Sequence, residues 1–281
     1  MTQKIFIKET DKAVVEQINS KIFKHTIQLL KNENTKPKPF GSGIFAKIYD
    51  DYFIITASHV ASFFEEHPNE ELRVKVSKEL FIPVLGEVKY SIIEKSERID
   101  LAYIKLDKQT IVYLSKVYIP ITIEKFRHHN NLLNGTNYCV LGYPAMNVNK
   151  DGEPFNTSAA FFLASPPTND NPYQHYKFNK RDHIILNVKG KGTEVNTNKK
   201  GKIISQFHGI SGCGLWFLLI YDNPKTGKTE VDYRLIGIMT EFRTGKYFCV
   251  IANRIWLIIE AFKVAEKFIF KEKFIKKGLV A

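Results

Sequence analysis

Short runs rich in β-branched and aromatic residues, each ended by turn formers, recur along nearly the whole chain. From Gly41, GSGIFAKIYDDYFIITASHV contains two such runs meeting at Asp50-Asp51, which is a hairpin signal. ELRVKVS, GEVKYSII and LAYIKL follow, then TNYCVLGY, DHIILNV, GLWFLLIY, YRLIGIMT and KYFCVIAN. Few helical patterns separate them, so the expectation is an all-β barrel or sandwich fold. The strands fall into two groups with a joint between Pro120 and Asn134. A chain of 281 residues is long enough for two such halves to bury a core.

Three segments interrupt the pattern. Asp11 to Asn32 carries Val15, Ile18, Ile22, Leu29 and Leu30 at near-helical spacing, and NENTKPKPF after it reads as a linker. Pro144 to Asp182 has the polar, proline-rich character of a surface insertion. In Asn253 to Lys277, Ile255, Ile258, Ile259, Phe262 and Ile269 form one apolar face of a terminal helix, expected to pack on the body of the protein. The predicted division is residues 1–40 as helix and linker, 41–125 and 126–252 as the two β units, and 253–281 as the closing helix.

Composition removes several function classes. The N-terminus MTQKIFIKETDK lacks a signal-peptide pattern, and no run reaches the roughly 18 apolar residues of a membrane span, which predicts a soluble, cytoplasmic protein. Cys139, Cys213 and Cys249 form neither a disulfide framework nor a zinc-ligand pattern and are expected to be small buried hydrophobes. The formal charge of +12 invites a nucleic-acid partner, yet only seven of the 41 basic residues are arginine, and they are scattered. Specific nucleic-acid binding is therefore not expected. His67, His128, His129, His175 and His183 show no metal-ligand spacing, and no metal or cofactor is expected.

The chemistry concentrates in FHGISGCGLW, where Ser211 stands among glycines just before an apolar strand. A serine hydroxyl becomes a nucleophile when a base takes its proton and a carboxylate orients that base. His59 ends FIITASHV at one strand edge, and Asp100 opens DLAYIKL at another. Each residue alone has a plain structural reading as a turn serine, a satisfied histidine or a strand-edge charge. His208, beside Gly209, is the alternative base, in a loop without the strand-edge setting.

These motifs, GSGIF with ITASHV, then DLAYIKL, then GISGCG, resemble in order and spacing the trypsin/chymotrypsin-like serine peptidases, in a bacterial intracellular form. VLGYP and LIGIMT add weaker echoes, and the likeness spans about residues 40 to 255. The resemblance implies two six-stranded antiparallel barrels with a cleft between them, and a serine endopeptidase acting on a protein or peptide. It implies His59 as general base, Asp100 as its orienter, Ser211 as nucleophile, and the backbone N–H groups of Gly209 and Ser211 as oxyanion hole. It places the base of the primary substrate pocket at Ser205 and its walls near Thr240, Phe242 and Gly245, a short pocket suited to small or apolar residues, with Glu241 as a feature that could reverse this. Ile210 stands where secreted relatives carry the aspartate that pairs with a freed N-terminus, so packing of Ile210 into the second unit is expected to order the oxyanion loop. Narrow specificity or a regulatory partner is expected of an intracellular enzyme. The competing reading is a catalytically inactive version of the fold used as a binding module.

Overall fold

A computed structural model of the chain describes residues 12–33, 36–66, 71–77, 80–90, 98–134, 137–144, 159–188, 191–194, 200–202 and 209–270. The first unit comprises β1 (Thr26–Glu33), β2 (Lys36–Ile48), β3 (Asp51–Thr56), β4 (Leu72–Lys75), β5 (Phe81–Pro83), β6 (Gly86–Tyr90), β7 (Ala102–Leu106) and β8 (Ile121–Thr122). The second comprises β9 (Tyr138–Gly142), β10 (Ala160–Ser165), β11 (His183–Val188), β12 (Lys191–Glu194), β13 (Lys200–Lys202), β14 (Gly214–Asp222), β15 (Thr229–Arg243) and β16 (Cys249–Arg254). The helices are α1 (Lys12–Lys21), α2 (Ser58–Ala61), α3 (Phe63–Glu66), α4 (Lys108–Leu114), α5 (Asn171–Tyr176) and α6 (Ile255–Ala265).

In the first unit the order is β5-β4-β1-β2-β3-β7-β6, antiparallel throughout, with β8 added in parallel to β2. Among the described residues this row stays open. In the second unit β11-β16-β15-β14-β9-β10 closes on itself through β10–β11 pairing, a ring of six strands, with β12 and β13 as a side hairpin on β10. A closed ring gives each strand a neighbour on both sides over most of its length, whereas the open row depends on other elements to cover its edges. The main core lies between the units and joins Ile44, Phe53, Leu141, Trp216, Leu235 and Phe262.

The two helical ends cross over. α1 buries Val14, Val15 and Ile18, and its Gln17 donates to the Thr229 carbonyl (2.7 Å) and accepts from the Val231 N–H (2.9 Å) on β15. α6, which follows the second unit, puts Phe262 on Phe53 and Tyr103 of the first, with ring centroids 4.7 Å apart in both pairs. Beyond α6, the Glu266 side chain, 5% exposed, accepts hydrogen bonds from Tyr103 (2.8 Å), Lys105 (2.9 Å) and Lys89 (3.0 Å). Burial alone would raise its pKa, and these three donors hold it below the ordinary value.

Four expectations need correction. The leading helix ends at Lys21, and Leu29 and Leu30 belong to β1, an interior strand of the row whose successive residues from Thr26 to Leu30 are all buried, so no alternation marks it as a strand. The supposed linker forms the end of β1 and the start of β2, so the first sheet begins at Thr26 and not at 41. Pro37 and Pro39 are tolerated there because β2 pairs with β3 only from Ile44 onward, leaving that stretch an edge. The Pro144 to Asp182 segment is no mere surface insertion, since AAFFLAS supplies β10, a buried strand of the ring, and α5 follows. Finally, α6 stops at Ala265, and Ile269 lies outside it, 86% exposed.

Candidate active site

The apolar run of β3 ends at Thr56, and the chain turns into α2, which presents His59 at the rim of the first unit. Asp100 precedes β7, the neighbour of β3. Its Oδ1 accepts the His59 backbone N–H at 2.9 Å and its Oδ2 meets His59 Nδ1 at 2.6 Å. Because a carboxylate only accepts, the imidazole proton sits on Nδ1 and Nε2 keeps its lone pair. The Asp100 backbone N–H in turn donates to Asn253 Oδ1 on β16 (2.9 Å), which ties this loop to the second unit.

The His59 side chain is 52% exposed. Partial desolvation would lower its pKa, but the hydrogen bond and charge of Asp100, helped by the charge of Glu241, raise it above 6.5. Other histidines behave differently. His25, not singled out from sequence, is buried between the Ile119 carbonyl and the Tyr233 hydroxyl, each 2.6 Å away, and burial lowers its pKa. Burial and the nearby Arg127 and Arg254 lower His129 to about 4. His183 is also lowered by burial.

Ser211 lies in the turn before β14. Gly209 and Gly212 both have φ of +88°, a backbone region open to glycine at little cost. Ile210 is fully buried in the core of the second unit, as expected. The turn is also fastened to the first unit through Ser42. The Ser42 N–H donates to the Ser211 carbonyl (2.8 Å), its hydroxyl donates to the Gly209 carbonyl (2.8 Å) and accepts from the Tyr143 N–H (3.0 Å), and its carbonyl accepts from Thr56 Oγ1 (2.7 Å). A Cβ on Gly212 would stand 2.1 Å from both the Ser42 carbonyl oxygen and Thr56 Oγ1, and 3.1 Å from the Ala57 nitrogen. The turn therefore abuts the residues that lead into His59. The Ser211 hydroxyl itself donates to the Thr240 carbonyl at 3.1 Å.

Thr240 sits at a bulge in β15, since Met239 pairs with Ala252 and Glu241 with Ile251. Phe242 meets Phe248 edge-to-face at 5.0 Å, so two aromatic rings occupy the region where the pocket wall was expected. Gly245 is exposed near the Tyr176 hydroxyl. Ser205, His67 and His208 lie outside the described residues. The three cysteines are buried, and burial pushes their thiols up, Cys249 to about 12, which removes thiolate nucleophiles near neutral pH.

Sequence reasoning missed Ser42, Asn253, Arg98 and Phe248. Ser42 had a signal, a polar residue between glycines in the apolar stretch FGSGIFA, and Asn253 had another, a polar residue closing the run KYFCVIAN. Arg98 and Phe248 had none, because their partners are distant in the chain.

The chain matches no protein-family model and no curated protein. Among solved structures it resembles that of GrC, at 15% identity over 87% of this chain and 95% of that one, with a TM-score of 0.54. The scabies mite inactivated protease paralogue S-I1 resembles it at 14% identity over 89% and 97%, with a TM-score of 0.53. Human heparin binding protein does so at 10% identity over 96% and 98%, also with a TM-score of 0.53. The fold is that of the trypsin/chymotrypsin-like serine proteases. The His59–Asp100 pair belongs to the first unit, and the Ser211 turn of the second unit is bonded to that unit through Ser42. Among the described residues no helix is long and apolar enough to cross a membrane.

Proposed function

We propose that the protein is a serine endopeptidase of narrow specificity acting on a protein or peptide. The observation that carries this reading is the doubly bonded His59–Asp100 pair beside a serine turn fastened to both units. His59 Nε2 takes the Ser211 proton as Oγ bonds to the substrate carbonyl carbon, and the Nδ1 proton stays on the Asp100 bond. The N–H groups of Gly209 and Ser211 receive the oxyanion, and the imidazolium then protonates the leaving amine. Water repeats the sequence on the acyl-enzyme. Before attack, the Ser211 hydroxyl rotates from the Thr240 carbonyl toward His59, a side-chain motion of picoseconds to nanoseconds. The contact of Phe242 with Phe248 supports a short pocket that takes a small or apolar side chain before the cleaved bond, and narrow specificity or a regulatory partner would restrain the enzyme.

A second reading, a binding module on an inactive fold, draws on that same Ser211–Thr240 bond, which occupies the hydroxyl. A fluorophosphonate probe separates the two. Covalent labelling of the wild type that vanishes in Ser211→Ala supports the peptidase, and no labelling of folded protein supports the module.

A further inference from the structure

β14 pairs with β15 only as far as Ile238, whereas β16 accompanies β15 to Arg243. From Thr240 to Arg243, β15 thus has one strand neighbour among the described residues, and its other edge runs away from Ser211 without one. An extended peptide adds to such an edge through main-chain hydrogen bonds, and side chains along it set preference. Glu241 and Arg243 are two residues apart and project to the same side of this strand.

The Glu241 carboxylate is already engaged. Arg243 Nη2 bonds its Oε2, and Arg98 Nη2 lies 3.6 Å from its Oε1. Two guanidiniums against one carboxylate leave a positive surplus, and both remain reachable, with Arg98 39% and Arg243 42% exposed. The nearby Asp100 is committed to His59. A basic substrate side chain would have to displace a guanidinium to reach Glu241, whereas a carboxylate meets planar donor groups suited to paired hydrogen bonds.

Arg98 is also preorganised. Its φ of +55° is uncommon for a residue with a side chain, and such conformations concentrate at functional positions. Its guanidinium stacks 3.9 Å from the Phe178 ring centroid and donates to the Tyr176 carbonyl at 2.6 Å, and its own carbonyl meets His183 Nε2 at 3.2 Å. A donor held this way loses little further freedom on binding a carboxylate.

We propose that Arg98, Glu241 and Arg243 form a carboxylate-selective rim, so that the protein prefers peptides with an acidic side chain upstream of the cleaved bond. Glu241 holds the two arginines in place and does not receive a basic residue. The inference rests on the peptidase reading for what lies along β15, and the experiment keeps the two apart.

Fluorophosphonate labelling of Ser211 is scored first. Then kcat/KM is compared for peptides identical except for Glu, Gln or Lys at each upstream position, together with their binding to the Ser211→Ala protein by fluorescence anisotropy. At one position Glu should exceed Gln by about tenfold, less at high salt. That ratio should approach one in Arg98→Gln/Arg243→Gln, and Arg243→Glu should turn the preference toward Lys. A tether without a role in selection would lower all three peptides alike. If Ser211 is labelled and the peptides show no charge preference, or prefer Lys, the rim is wrong and the peptidase stands. If Ser211 is not labelled, the peptidase fails and binding decides the rim: Glu-selective binding that the arginine variants abolish upholds it, and equal or undetectable binding overturns it.

Discussion

The two parts of the candidate site are built by different means. His59 and Asp100 are joined by side-chain bonds at a partly exposed rim, with 52% and 26% of the respective side chains in solvent. Ser211 sits in a turn held largely by its backbone, between the fully buried Ile210 and Cys213 on one side and Ser42 on the other. A group that gains and loses a proton works where water and a carboxylate stabilise both of its states. A nucleophile and the amides beside it need fixed geometry, which burial and backbone bonds supply. Substitutions on the rim, and removal of the Ser211 hydroxyl alone, should therefore change chemistry alone, whereas substitutions of the residues that hold the turn should change chemistry and stability together.

The largest expected effects test the first half of that contrast. His59→Ala and Ser211→Ala should each abolish peptide hydrolysis with the melting temperature nearly unchanged, and Asp100→Asn should lose about 10⁴-fold in kcat. A His59→Ala protein that melts well below the wild type would make the rim a structural element and erase the distinction. Next comes Gly212→Ala. The methyl group would collide with Ser42 and Thr56 at a positive φ, so a stability loss of about 3 kcal/mol or more in urea unfolding should accompany loss of probe labelling. Labelling at the normal rate in a protein of normal stability would show that the turn has slack.

Ser42→Ala sharpens the comparison at smaller scale. It removes the hydroxyl that serves the buried Gly209 carbonyl and Tyr143 N–H, with a cost of about 2 kcal/mol and slower labelling of Ser211, although Ser42 itself is fully buried. The smallest effect is one of pH. Only neutral His59 can take the serine proton, and its folded pKa is raised, so the labelling rate should rise with pH through a midpoint above 6.5, and Asp100→Asn should move that midpoint down. The sign for stability is the opposite: the raised pKa contributes fully below 6.5 and is lost as pH climbs through the folded value. A midpoint at or below 6.5 in the wild type would mean that Asp100 does not act on the base.

This contrast also explains what could be seen in the sequence. His59 and Asp100 are legible because polar residues at the ends of apolar runs mark strand edges, and Ser211 because glycines bracket it. The strands with plain alternation or clean turns were legible for the same local reason. β1 was not, because its residues are buried on both faces and show no alternation, and β10 was not, because the prolines around it suggested a loop. What holds the site was hidden more deeply. The Ser42 bond to Gly209 spans 167 positions and the Asn253 bond to Asp100 spans 153, and no local pattern encodes pairings that only the fold creates. The state of Glu241 is hidden in the same way. As a lone acid it looked ready for a basic substrate, and only its two arginine partners change that expectation.

The crossing of the two ends has a thermodynamic consequence. With Gln17 and Lys21 of α1 bonded to β15, and Phe262 and Glu266 seated on Phe53, Tyr103 and Lys105, each half is completed by a segment that the sequence order assigns to the other side. Melting either half strips apolar and ionic contacts from its neighbour, so the halves have no independent unfolding steps. Heating should produce one calorimetric peak whose van't Hoff and measured enthalpies agree, the behaviour of a single cooperative unit in spite of its two-part architecture.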